Sequence, residues 1–114
     1  MIFCREGKLK AIGVSNFTVK HLKEFETAAV KPAANQCEYQ PFIARKYQPI
    51  LDYCASHKIV YESYMMFGGS NPENKAKLMK HPRVNEIAAA HKHANSGKPV
   101  SVGQVIQYIP SNSF

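Results

Sequence analysis

Ser15, Asn16, Asn35, Gln36 and Tyr64 are the residues of this 114-residue chain whose types and placement suit recognition chemistry. Each stands at the end of a short apolar run: "AIGVSN" (11–16), "PAANQ" (32–36) and "KIVYESY" (58–64). An Asn or Gln amide carries a donor and an acceptor side by side, the complement of a carboxamide, which carries one of each as well. A tyrosine offers a flat face on which a planar heterocycle can stack. Two amides, a hydroxyl and an aromatic plate, brought together, would hold an amide-bearing aromatic ring, and nicotinamide is such a ring. The same residue types also cap helices, so Ser15 and Asn16 serve equally well as caps of the segment that follows.

For these residues to meet, the three runs must lie side by side. Residues 10–14 read as a strand. Val19, Leu22, Phe25 and Ala29 then recur at spacings of three and four, which predicts an amphipathic helix over 18–30, with Thr18 as its N-cap and Pro32 as its stop. The second strand ends near Gln36, and Pro41 breaks the chain again. Tyr47, Ile50, Leu51 and Cys54 mark a second helix, with Pro49 near its start, where proline is tolerated. Residues 58–64, rich in β-branched and aromatic side chains, predict a third strand. After the loop "GGSNPEN", short helices run through 75–80 and 83–94, and "NSGKP" leads into a last helical piece at 100–108. Ile12 to Asn35 is a step of 23 positions and Asn35 to Tyr61 a step of 26. That rhythm is the βα repeat of a parallel α/β fold, in which functional groups gather at the C-terminal ends of the strands. Three strands cannot close a barrel of eight. The expectation is an open sheet or a barrel segment, in one domain spanning 1–114 with no internal linker.

Composition narrows the partners. Apolar residues make up 45% of the chain, a globular value. No apolar run reaches the length of a membrane span, and no signal-peptide core follows the start, which predicts a cytoplasmic protein with no membrane partner. The net charge of +7 favours an anionic partner. Its lysines and arginines are scattered in small groups without interleaved aromatics, so no nucleic-acid partner is expected; a solvated surface and a phosphate-bearing cofactor account for the charge. Cys4, Cys37 and Cys54 are odd in number and form no CxxC pair, so they read as free, mostly buried thiols. His91 and His93, two apart, fall on different faces of the helix expected there, and no metal site is predicted.

"GKLKAIGVSNF" (7–17), "KPAANQCEYQPF" (31–42) and "KIVYESYMMFGG" (58–69) resemble, in order and spacing, consecutive blocks of the aldo-keto reductases. The likeness runs from about Gly7 to Gln107. It implies a partial (β/α)8 TIM-type barrel: the C-terminal portion of a fold that reduces aldehydes and ketones with NADPH. It further implies that Ser15 and Asn16 hydrogen-bond the nicotinamide carboxamide, that Gln36 assists them and that Tyr64 stacks on the ring, with a carbonyl compound as substrate. The family's catalytic Asp, Tyr, Lys and His precede the G-V-S-N-F block, and this sequence starts about a dozen residues before it. No catalytic residue is therefore assigned. Tyr39, Tyr61 and His57 are not candidates for the vacancy, since no paired Lys accompanies them.

Two blocks depart from the family pattern. Ser-Pro-Leu-Gly after the stacking tyrosine is Met65, Met66, Phe67 and Gly68 here, without the serine hydroxyl near the pyrophosphate. "HPY" is Gln40, Pro41 and Phe42. At the other end, "VSVGQVI" (100–106) matches the helix before the family's last strand, and "IPSNSF" (109–114) either stands for the I-P-K-S block, with Ser111 in place of the lysine that grips the 2′-phosphate, or is the tail of that helix. Either way the usual cationic grip is missing. The expectation is a truncated NAD(P)H-dependent oxidoreductase that does not turn over alone. A barrel cut open leaves sheet edges unpaired, which predicts self-association or partnership; a non-catalytic half-barrel interaction protein is the alternative.

Overall fold

The computed structural model describes residues 6–93 and 96–108. Cys4, and the 109–114 block with Ser111, lie outside the described residues. The chain divides into two compact units. One comprises the residues up to Glu38 together with Arg45–Tyr64; the other comprises Tyr39–Ala44 together with the residues from Met65 onward.

The first unit is built on strands β1 (Gly13–Ser15), β2 (Ala34–Glu38) and β3 (Val60–Tyr64), which form a parallel sheet in the order β1-β2-β3. Helix α1 (Val19–Lys23) connects the first pair, and α2 (Ala44–Ser56) the second. Parallel neighbours demand such crossovers, which is why strand and helix alternate. Ser15 is the register partner of Gln36, Gln36 of Glu62, and Glu38 of Tyr64. Burial along β2 alternates, with Asn35 and Cys37 fully buried and Gln36 exposed between them. One face of the sheet is thus interior, where Leu22 of α1 and Cys54 of α2 are also buried. The other face is open and carries Ser15, Gln36 and Glu62 in one row, with Glu38 and Tyr64 in the next.

The βα order follows the sequence expectation, while several boundaries do not. Thr18 caps α1 as expected: its hydroxyl accepts the His21 N–H, and the His21 ring accepts the Thr18 N–H in return. The helix is only five residues long, however. Beyond Glu24 the chain continues in tighter turns, with Phe25, Glu26 and Ala28 each bonding three residues back. The predicted apolar stripe therefore outruns the helix. Pro49 lies inside α2, as its sixth residue, rather than near its start. Its ring leaves the exposed Arg45 carbonyl without an intrahelical donor, a loss water can meet at the surface. Helix α2 ends in a Schellman turn: Ile59 N–H reaches the Cys54 carbonyl at 2.9 Å and Lys58 N–H the Ala55 carbonyl at 3.3 Å, with Lys58 at φ 57°.

The second unit contains α3 (Pro72–Met79), α4 (Pro82–Ala90) and α5 (Val102–Tyr108). Its core is Leu78, Val84, Ala88, Val105 and Ile106, with Met66, Phe67, Ile87, Val100 and Val102 packed around them. Asn71 caps α3 by accepting the Glu73 N–H, and Pro72 occupies the first helical turn, where its missing N–H is no loss. The helix thus begins inside the stretch expected as a loop. Gly68 is required where it stands. Its φ is +97°, and a Cβ there would come within 2.8 Å of the Asn74 and Lys75 backbone. Helix α4 stops at Ala90, so His91 and His93 are not helical: Lys92 bridges to Pro99, and His93 Nε2 lies 3.2 Å from Gln104 Oε1. No helix among the described residues is long and apolar enough to cross a membrane.

Candidate functional site

The strand ends of the first unit converge through hydrogen bonds. Asn16 follows β1 in the left-handed region, φ 58°. Asn tolerates that conformation better than most residues. The turn carries the Asn16 N–H to the Gln36 carbonyl at 2.8 Å, and the Ser15 hydroxyl donates to the same carbonyl at 3.0 Å. Asn16 Nδ2 donates to Ser15 Oγ at 3.0 Å. Tyr64 OH, from the end of β3, donates to Asn16 Oδ1 at 2.9 Å. Tyr64, Asn16, Ser15 and the Gln36 backbone therefore form one continuous relay across all three strands. Ser15, Asn16 and Gln36 are exposed and Tyr64 is half-buried, so the relay stands at the surface of the unit.

Counting donors and acceptors gives the chemistry left over. Ser15 Oγ has spent its proton on the Gln36 carbonyl and one lone pair on Asn16, and keeps one lone pair. Asn16 keeps one N–H and one lone pair on Oδ1. The exposed Gln36 side-chain amide has no protein hydrogen-bond partner among the described residues. Four acceptor lone pairs and three N–H donors thus remain, carried by Ser15, Asn16 and Gln36. A primary carboxamide has two N–H donors and a carbonyl with two lone pairs, and the remaining groups are enough to answer all four. A carboxylate has no donor to give Ser15 Oγ or Asn16 Oδ1.

Asn35 does something other than what its place near a strand end suggests. It is fully buried, and its side-chain amide works as an extra rung between strand ends: Nδ2 donates to the Phe17 carbonyl at 2.9 Å, and Oδ1 accepts the Phe17 N–H at 3.2 Å. It fixes the turn that presents Ser15 and Asn16 and is no ligand group. The signal in the sequence was its position one residue before Gln36, which puts the two amides on opposite faces of a strand. That same period of two placed Glu38 and Glu62 beside Gln36 and Tyr64, a pair of carboxylates on the open face that the motif reading passed over.

Two thiols and three phenols are electrostatically perturbed, Tyr47 being raised chiefly by burial. Burial pushes the Cys37 and Cys54 thiols up from their usual value, only partly offset by hydrogen bonds, foremost from the Asn16 backbone at Cys37 and from the Asn35 side chain at Cys54. Tyr61, whose hydroxyl donates to the Glu38 carbonyl at 3.1 Å, is pushed far above the ordinary phenol range, chiefly by burial. Tyr53 OH donates to Glu26 Oε1 at 2.6 Å, and that bond pushes its phenol up to about 12. His57 stacks on the Tyr53 ring at 3.9 Å, with its Nε2 3.9 Å from Glu26. Tyr61 and His57 thus have structural partners of their own, and Tyr39 is buried. No group of three or more His, Cys, Asp or Glu able to hold a metal gathers among the described residues.

Parallel strands alternating with helices, with polar groups towards the strands' C-terminal ends, define the parallel α/β class, to which (β/α)-barrels belong. Comparison with known proteins narrows that class. The sequence model of the aldo/keto reductase family matches residues 2–107. The chain is 36% identical over 102 residues to D/L-glyceraldehyde reductase of Hypocrea jecorina, covering 89% of this chain and 30% of that protein. It is 37% identical over 87 residues to glycerol 2-dehydrogenase (NADP(+)) of Saccharomyces cerevisiae, covering 74% and 26%. The structure aligns with a crystal structure of an aldo/keto reductase from Brucella melitensis at a TM-score of 0.61 and 25% identity, over 99% of this chain and 46% of the other. The chain belongs to the aldo/keto reductase family, and it spans about 30% of the length of the curated relatives it matches.

Proposed function

We propose that this chain, as one partial aldo-keto-reductase-like domain, binds the nicotinamide end of an NAD(P) cofactor. Ser15, Asn16 and Gln36 take the carboxamide, and Tyr64 lies against the ring. The observation that carries the reading is the set of acceptors and donors the relay leaves over on three adjacent side chains, Ser15, Asn16 and Gln36. When bound, the cofactor supplies hydride for reduction of a carbonyl compound. The residues named here bind and orient. None of them is a proton donor for the carbonyl oxygen, so turnover requires groups that these 114 residues do not supply. The yeast relative, a glycerol 2-dehydrogenase (NADP(+)), supports NADP as the cofactor. The two relatives, a D/L-glyceraldehyde reductase and a glycerol 2-dehydrogenase, support a carbonyl substrate of glyceraldehyde or glycerol type.

NADPH fluorescence titration tests the reading. Saturable binding is expected, and Asn16→Gly, which keeps the left-handed turn and deletes the side chain, should weaken it about tenfold, the value of roughly 1.4 kcal/mol of lost hydrogen bonding. Absence of saturable binding, or binding indifferent to Asn16→Gly, contradicts it. A second reading, association through the sheet edges, is favoured by β1 and β3 each pairing on one side only among the described residues.

A further inference from the structure

On the far side of Asn16 lies a cavity of about 460 Å³, lined by residues of α1, α2 and the strand ends. That volume falls within the range of small-molecule pockets. Lys20 and Lys46 contribute the charge. Neither lies within ion-pair distance of a carboxylate among the described residues, where the ion pairs are Lys8–Glu6, His57–Glu26 and Arg83–Glu86. Thr18 adds a hydroxyl that accepts the His21 N–H and still has a proton to give. Asn16 adds its uncommitted N–H. Ile50 and the Tyr47 ring make the apolar wall, and Lys46 Nζ stands 5.6 Å from the centre of that ring, a cation–π distance.

We propose that this cavity is a binding site for a small amphiphilic carboxylate. The anionic head meets Lys20, Thr18 and Lys46, and a short hydrocarbon body lies against Tyr47 and Ile50. The lining offers donors and positive charge at one end and apolar surface at the other, and it includes no Asp or Glu. Burial, and next the Glu38 carboxylate, push the Tyr47 phenol up, so the charged head is placed at the lysine end, away from that phenol. A neutral ligand of the same shape would leave both ammonium groups without a charged partner. The inference does not rest on the nicotinamide reading, because only Asn16 is common to the two sites.

The test is a titration of the 15N-labelled full chain with hexanoate, 1-hexanol and inorganic phosphate, followed by amide NMR. Hexanoate should saturate in the millimolar range, the regime of one or two exposed charge contacts plus a short chain, and should move the amides of Thr18, Lys20 and Tyr47 together. Hexanol and phosphate at equal concentration should move them far less. Because both lysines are exposed, Lys20→Ala with Lys46→Ala should leave the circular-dichroism melt unchanged and weaken hexanoate about tenfold. Any of four results overturns the proposal: no saturation, an equal response to hexanol, an equal response to phosphate, or undiminished binding in the double variant.

Discussion

A single hydroxyl proton decides what the site can recognise. Ser15 gives it to the Gln36 carbonyl, and that leaves the serine an acceptor only. That Ser15, Asn16 and Tyr64 stand at strand ends was legible from the sequence, because each closes a strand-like run; Gln36 was expected near the end of the second strand, which instead continues to Glu38. Their mutual bonding was not, since it depends on the left-handed turn at Asn16 and on the register of three strands. The sequence reading also grouped Asn35 with the ligand amides, because strand spacing does not say which face of β2 is buried until α1 and α2 cover one of them. The buried thiols make a prediction at this scale. In the unfolded chain they lose their protons near the usual value of 9.0, whereas the folded chain keeps them protonated to higher pH. Between those values the native state binds more protons than the unfolded state, so stability is full below the unfolded value and falls as pH rises through it. Urea unfolding should show the midpoint dropping from about pH 8 to about pH 10. In Cys37→Ala with Cys54→Ala the part of the drop below about pH 9 should flatten, while the raised Tyr47, Tyr53 and Tyr61 phenols, which lose their protons near 10.0 in the unfolded chain, still lower stability above it. An equally steep drop in the double variant would show that the thiols are not its source.

Elements present the site only where local chemistry agrees with the fold. Asn35 ties the end of β1 to β2 through Phe17, and Asn35→Ala would leave a buried donor and acceptor unanswered. A loss of about 2–4 kcal/mol is expected in chemical denaturation, far more than Asn16→Gly should produce. A loss no larger than that of the exposed relay would show that the amide rung is not structural. Lys58 holds the left-handed position of the α2 Schellman turn at a cost that glycine avoids. Lys58→Gly should therefore raise stability by about 0.5–1 kcal/mol, and a fall would contradict the assignment of that turn. The turn was invisible in the sequence because the residue there is lysine, not glycine. Pro49 misled in the other direction, as proline more often marks a helix's first turn than its sixth residue. The spacing of three strands and two helices, by contrast, could be read directly, because apolar periodicity and the proline stops agreed on it.

At the scale of the whole molecule, the sheet has two strands with unpaired edges among the described residues, and Val60 on β3 is 63% exposed. Unpaired parallel edges beside exposed apolar side chains favour association. We expect size-exclusion chromatography to show an elution volume that moves to larger size as concentration rises. A compact species independent of concentration, with a cooperative melt, would contradict that expectation. Neither outcome bears on the central claim, which is that the strand ends form a carboxamide clamp. The most direct measurement of that claim follows the Asn16 side-chain NH2 resonances during titration with nicotinamide and, separately, with nicotinate. Nicotinamide should shift them saturably and bind about tenfold more tightly than nicotinate, because Ser15 and Asn16 offer lone pairs that only the amide can answer. Equal shifts from the two ligands, or none from nicotinamide, would contradict it.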